Sequence, residues 1–374
     1  LRDEAANARF DRKKCQARPL FAELPAPPRD DFRTDPMQRL IQANGQPHYG
    51  IFPSAPQHIN YRDFDFRSPM GRRVGALGKW RRFHQFQYFG LISPELIGGC
   101  ALAQLSLLGV GFVYLYQPSS GRMLERRFKL PLGFGTRFSQ TPDDGVCELR
   151  QGRNLLRLEN RMAHREKRLL VELDDGTRID ACFSEEAPSF QPMCLCTPTA
   201  VNGWVYAQKV AGVRCRGDVR SALGDHDLQA LDAFAHHDWS AGYMRPETFW
   251  NWACLSGEAD GLRVGLNLSC GVNETSFTEN CYWLDGELLK VDSVRFDFDR
   301  DQPLRPWTIR SYDGQVELRF EAHGMHQERL NLGLLASNFK QIFGCFSGVL
   351  RPRGRAEVRI ERLWGFVEDQ YAKW

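Results

Sequence analysis

The stretch HHDWSAGYMRPETFWNWA, residues 236–253, gathers two histidines, an aspartate, an arginine and three tryptophans. Asp238 directly follows His237. A carboxyl group near an imidazole in an apolar setting is a standard means of acid–base catalysis, because burial shifts both pKa values. Alternation along the following strand puts Arg245, Glu247, Phe249 and Asn251 on one face, and Met244, Thr248, Trp250 and Trp252 on the other. If the tryptophan face looks into a barrel, it forms a flat apolar wall for a small molecule. The competing reading has the tryptophans closing the barrel as packing. Asp238 then caps a turn or pairs with Arg245, and His236 is solvated.

A second cluster is NETSFTENCYWLDG, residues 273–286, where Glu279, Asn280 and Trp283 fall on a strand rich in Thr, Phe and Tyr. A carboxylate buried in a central strand is costly alone, so it needs a partner or a task. Asn267, on the preceding strand, is the candidate neighbour. If Glu279 points to solvent, the cluster carries no chemistry. His323 and His326 have a spacing known from metal sites but no evident third ligand, so no metal is expected. GFGTR at 133–137 lacks the strand–helix context of a dinucleotide loop, and no Gly-x-Ser-x-Gly elbow occurs. No cofactor is therefore expected.

The chain that must position these residues has 374 of them, with 42% hydrophobic and 25% charged, an ordinary globular balance. Its 25 Phe, 10 Tyr and 9 Trp favour strands. With 49 basic and 46 acidic residues the net charge is +3, too balanced to imply nucleic acid as partner. Basic runs such as Lys79-Trp80-Arg81-Arg82 and Arg161–Arg168 are read as solvated strand faces. The apolar segment 96–116 is glycine-rich and is read as two buried strands around a bend, not as a membrane span. Leu1 as first residue suggests a trimmed start, and nothing resembles a signal peptide. The eleven cysteines are odd in number and irregular in spacing, which fits free thiols in a reducing, cytoplasmic setting.

Residues 1–35 are polar and proline-rich and read as a loose lead-in. Beyond them Asp-Gly pairs at 144–145, 175–176, 285–286 and 313–314 punctuate alternating segments as hairpins. Only 226–235 and 331–343 suggest short helices. An internal echo lays ISPELIGGCALAQLS (92–106) over LSGEADGLRVGLNLS (255–269), with Ser93 on Ser256 and Ser106 on Ser269. Together these predict an all-β fold of two tandem lipocalin-like antiparallel β-barrels with few short helices, the first over 36–200 and the second over 201–374.

The succession GKWRRFHQFQYFGLISPEL, GVGFVYLYQPSSG, HDWSAGYMRPETFWNWA, GLNLSCGVNETSFTENCYWLDGELLKV, PWTIRSYDGQVELRF and FGCFSGVLRPRGRAEVRIERLWGFVEDQYAKW resembles the bacterial family catalogued as domain of unknown function 2804. In architecture that family is similar to tandem lipocalin-like proteins, among them carotenoid hydratases of the hydroxyneurosporene synthase type, fungal cyclases of Diels–Alder type and the survival factor group of yeast. Fold alone does not carry function. The leading expectation is a pocket for an apolar small molecule, lipid or isoprenoid-like, with cofactor-free hydration, isomerisation or cyclisation. Asp238 or Glu279 would be the acid, tuned by His237. Trp250, Trp252 and Trp283 would shield a developing cation, and Arg245, Asn251, Asn267 and Asn280 would complete the lining. The rivals are a non-catalytic lipid carrier and an interaction scaffold. On the cysteine reading, thiol titration of the denatured, unreduced protein should find all eleven free; a native bridge would overturn the reducing assignment.

Overall fold

The computed structural model describes residues 37–373 except 106, 186–189, 273–275, 332 and 334–335. The lead-in expected over 1–35 lies outside them, as does Ser106. Three antiparallel sheets make up the fold, and α1 (Ala76–Arg82) is the one α-helix among the described residues. Among the described residues no helix is long and apolar enough to cross a membrane.

These four Asp-Gly pairs, and a fifth at 260–261, all sit where antiparallel strands meet or begin. Between Cys281–Leu284 and Glu287–Lys290 the turn is Asp285-Gly286, with φ of 49° and 88°. Two successive positive φ values are what a two-residue hairpin needs to match strand twist, and this is why Gly follows Asp there. Segment 96–116 resolves into strands Ile97–Leu105 and Leu108–Gln117, paired with each other.

An eight-stranded sheet has at its centre Gly203–Arg214, Phe234–Gly242, His84–Ile92 and Ile97–Leu105, in that spatial order. A seven-stranded sheet runs between Gly224–Asp227 and Thr136–Arg137. It packs on one face of the first, with Leu149, Leu158, Leu169, Val171 and Phe183 meeting Phe89 and Leu91 in a shared core. The nine-stranded sheet is built around Leu262–Cys270, Glu247–Ala259, Val358–Lys373 and Ala336–Leu350. It curls until Val294–Asp297 reaches Leu262–Cys270, enclosing Leu255, Leu266, Trp307, Ile309, Phe320 and Phe346. This is an all-β, lipocalin-like architecture.

Several local expectations give way to long-range pairing. Residues 226–235 form a strand end, a turn and the start of the next strand, while Asn331 ends one long strand and Ala336 begins another, so the described residues of both stretches are not helical. Cross-strand hydrogen bonding overrides weak helical periodicity at both. The Lys79-Trp80-Arg81-Arg82 run is on α1 instead of a strand. Ser93 lies in the turn after His84–Ile92, whereas Ser256 lies within Glu247–Ala259, whose turn comes later at Asp260-Gly261. The two serines are not equivalent. Residues 200–201 fall between two strands paired in the eight-stranded sheet, and the sheets change over only at 243–246.

The other face of the eight-stranded sheet meets the outer face of the nine-stranded one. They touch at backbone level where Gly212, at φ +75°, faces Gly265: a Cβ on Gly265 would lie 2.4 Å from the Ala211 carbonyl carbon. The Gly212 N–H donates to Ser256 Oγ at 3.0 Å across the same contact. Gly212→Ala should therefore combine left-handed strain of about 1–2 kcal/mol with overpacking of about 1–3 kcal/mol. Gly314→Ala is the control, since Gly314 has φ +73° and nothing near its absent Cβ. In urea denaturation the first should lose more than the second; equal losses would remove the contact from the account.

Candidate active site between the two sheets

Lys209, Asp238 and Tyr88 stand directly opposite one another on three neighbouring strands of the eight-stranded sheet, so their side chains share its outer face. Across the gap, Trp252 stands opposite Glu368 and Ser269, and Gln341 opposite Glu368. Two polar, half-aromatic surfaces thus close on each other, and the residues at the centre are almost completely buried.

Lys209 Nζ lies 2.6 Å from Asp238 Oδ2 and 3.4 Å from Glu279 Oε1, one carboxylate from each side of the interface. The ammonium also sits 5.0 Å from the centre of the Trp252 ring. Trp252 Nε1 donates to Asn267 Oδ1 at 2.8 Å, and Asn267 Nδ2 donates to the Glu279 carbonyl at 3.0 Å. Glu368 accepts from Trp250 Nε1 at 3.0 Å and from Gln341 Nε2 at 2.8 Å. Tyr88 and Tyr114 join hydroxyl to hydroxyl at 2.7 Å. His236 packs between the Tyr88 and Phe366 rings, each at 5.3 Å. Gly90 makes room for it, since a Cβ there would fall 2.0 Å from His236 Nε2.

One ammonium among three carboxyl groups leaves negative charge that burial will not tolerate. Burial pushes the Glu368 carboxyl up to about 7, the neighbouring Asp238 adds to this, and hydrogen bonds from Trp250 and Gln341 oppose it. Asp238 is also raised: burial outweighs the pull of Lys209, and Glu279 adds to it. Burial works against the Lys209 charge, but Asp238 and Glu279 more than compensate and hold it protonated. Burial drives His236 down to about 3, so its imidazole is neutral. Neither His236 ring nitrogen has a hydrogen-bond partner among the described residues, nor does Asp238 Oδ1.

Of the residues expected from sequence, Asp238, Glu279, Trp250, Trp252 and Asn267 come together here. The tryptophans face the interface and not the interior of their own sheet. His237 does not join them. It lies inside the strand Phe234–Gly242, not in a mouth loop, so it points to the opposite face from Asp238, where Gln87 Nε2 is 3.0 Å from its Nε2. His236 is buried and not solvated. Arg245 donates to the Gly271 carbonyl at 2.7 Å and Asn251 to Asp369 at 3.2 Å, away from the centre. Asn280 bonds the Ser269 N–H at 2.7 Å and the Asp292 carbonyl at 3.2 Å, and Trp283 bonds the Gln191 carbonyl at 2.7 Å; these are roles in holding the backbone. Lys209, Glu368, Tyr88, Tyr114 and Gln341 escaped sequence reasoning. Lys209 was the readable one, as a lone charge within the apolar run GWVYAQKVAGV. Two surface clefts, of about 380 and 270 Å³, are lined by other residues.

Fold and site define a class: a lipocalin-like all-β protein with a buried cluster of one lysine and three carboxyl groups where two sheets meet. The chain belongs to the family described as Domain of unknown function (DUF2804), whose profile matches residues 37–374. Among curated proteins none matches it. Of solved structures, kievitone hydratase from Nectria haematococca is similar over 77% of this chain and 89% of its own, at 10% identity and a TM-score of 0.50. CghA with Sch210972 is similar over 89% of this chain and 96% of its own, at 10% identity and a TM-score of 0.54. At such identity the likeness establishes the fold.

Lys209→Met would remove the cation between Asp238 and Glu279, and urea denaturation at pH 7 should show a loss of about 3–5 kcal/mol. For Glu368 the sign follows from a folded pKa raised from 4.5 to about 7. Its contribution is fully present below pH 4.5 and is lost as the pH rises through about 7. Stability should fall by up to about 3 kcal/mol across that window, at 1.36 kcal/mol per unit. Glu368→Gln should flatten this part of a denaturation-versus-pH curve; an unchanged slope would assign the titration to another group.

Proposed function

We propose that the inter-sheet cluster is a cofactor-free acid–base site acting on an apolar, unsaturated small molecule, lipid or isoprenoid-like. The observation that supports it is a carboxyl group that titrates near neutral pH, Glu368, beside an Asp238–Lys209 pair and among Trp250, Trp252 and Phe366. A general acid works best with a pKa close to the operating pH. In a hydration, the Glu368 O–H proton forms a new C–H bond at one alkene carbon. The ring faces stabilise the cation left at the other. Water oxygen then bonds that carbon, and the proton it sheds returns to a carboxylate, with Asp238 the nearest base to Lys209. Without water, loss of a different proton from the cation gives isomerisation, and attack by a second double bond gives cyclisation. His237, on the far face of its strand, has no part in this scheme.

Two fold relatives support the reading: one is a hydratase by name, and the other holds a small molecule, Sch210972. A non-catalytic carrier is the second reading. The same aromatic walls favour it, because binding needs them and does not need the acid.

The test is incubation in D₂O with prenyl alcohols, conjugated polyenes and enones, followed by mass spectrometry. Wild type should incorporate deuterium, or add D₂O, at a rate that falls above pH 7. Glu368→Gln and Asp238→Asn should each lose at least about 10²-fold, the usual worth of a general acid or base. Apolar molecules that co-purify and bind but never exchange would leave the carrier reading standing alone.

A further inference from the structure

We propose that the end of the molecule formed by α1 and the 131–137 loop is a docking face for an anionic membrane surface. The proposal is independent of the acid–base reading. It begins with large apolar side chains held in solvent: Leu77 is 75% exposed, Phe134 73%, Leu132 57% and Leu107 53%. Scattered exposed apolar residues need no explanation, but these are neighbours. Leu77 and Trp80 are three apart on α1 and share a face. Trp80 and Leu132 line opposite parts of the same cleft of about 270 Å³, together with Tyr61, Phe83 and Phe138. The Leu132 N–H donates to the Leu107 carbonyl at 2.7 Å, which puts the two loop tips side by side.

The loop is built to present these side chains. Leu132 adopts φ +56°, with Gly133 at +70° and Gly135 at +83°. Left-handed backbone is natural for the glycines and strained for a leucine. That strain is spent on a residue whose side chain meets mostly solvent.

Charge supplies the partner. The segment GRRVGALGKWRR, residues 71–82, carries Arg72, Arg73, Lys79, Arg81 and Arg82 and no acidic residue, whereas the whole chain has a net charge of only +3; of these, Arg73 pairs with Asp65 at 3.3 Å. Arg62 lines the cleft and Arg137 stands exposed at its loop, though Glu148 lies opposite Arg137 on the next strand. Lys79 Nζ donates to the Arg62 carbonyl at 2.8 Å, and Tyr61 stacks on Phe83 at 3.7 Å, so the helix is anchored and not a loose tail. Leucine, tryptophan and phenylalanine tips ringed by lysine and arginine match the chemistry of a lipid interface, with acyl chains below and phosphate headgroups around. A nucleic acid would meet the charges but leave Leu77, Leu132 and Phe134 unexplained.

Sedimentation of the full chain with vesicles tests this. The protein should partition into phosphatidylcholine vesicles containing about a third phosphatidylglycerol, weakly into phosphatidylcholine alone, and lose most binding at about 0.5 M salt. Arg72→Glu with Arg82→Glu, and separately Leu132→Ser with Phe134→Ser, should each weaken the partition about tenfold. Both variants change exposed side chains, so the melting temperature should stay that of wild type, and a variant that melts early is replaced by Leu77→Ser. Absent partition of the wild type, equal partition into both vesicle types, or folded variants that bind like wild type would each overturn the proposal. So would a single-stranded oligonucleotide that binds more tightly than the vesicles and loses affinity only with the charge variant.

Discussion

An ammonium ion cannot be carried into a protein interface alone, and Lys209 is carried in with a carboxylate from its own sheet, Asp238, and one from the opposing side, Glu279. That requirement shapes its surroundings. The Gly203–Arg214 and Phe234–Gly242 strands must pair in the register that sets Lys209 against Asp238. The chain between Leu262–Cys270 and Cys281–Leu284 must bring Glu279 in from the other side, and Asn267 fixes it there through the Glu279 carbonyl. The backbone contact of Gly212 with Gly265, three residues along the strand from Lys209, sets how closely the two sheets approach.

Glu368 adds a third buried carboxyl group to this pairing. Burial raises the pKa of this carboxyl group to about 7; Asp238 adds to the rise, and Trp250, Gln341 and Lys209 oppose it. Stability does not account for such an arrangement. Buried ion clusters are often no better than well-packed apolar side chains of the same volume, and the apolar alternative was available in a β-sheet interface. The enclosed face of the nine-stranded sheet shows that alternative in use, filled by Leu255, Leu266, Trp307 and Phe320 with no charge among them.

The site also explains why adjacency in sequence misleads. His237 and Asp238 are neighbours along the chain, and they suggest a couple only if they sit in a loop. Within a strand, successive side chains point to opposite faces. His237 therefore belongs to the space shared with the seven-stranded sheet, and Asp238 to the interface with the nine-stranded one. His236, two positions from Asp238, is the histidine that shares its face.

Local chemistry alone made much of the class legible. Asp285-Gly286 and its fellow pairs specify hairpins through φ values that few residues adopt, and the alternation in segments such as 316–320 states which side is dry. Those signals act within a few residues, so they survive without knowledge of the rest of the chain. They failed where they were weak, at 226–235 and 331–343, where cross-strand pairing outweighed helical periodicity. Asp238, Glu279 and the Trp250–Trp252 pair were visible as costly or unusual residues, but, Asn267 apart, their partners were not. Lys209 and Glu368 lie far away in sequence and meet them only because two sheet faces pack at one register. That register is settled by long-range pairing and by a glycine-to-glycine contact, neither of which leaves a periodic trace in the chain. The strands were thus determined residue by residue, and the site was decided only when the sheets closed on one another.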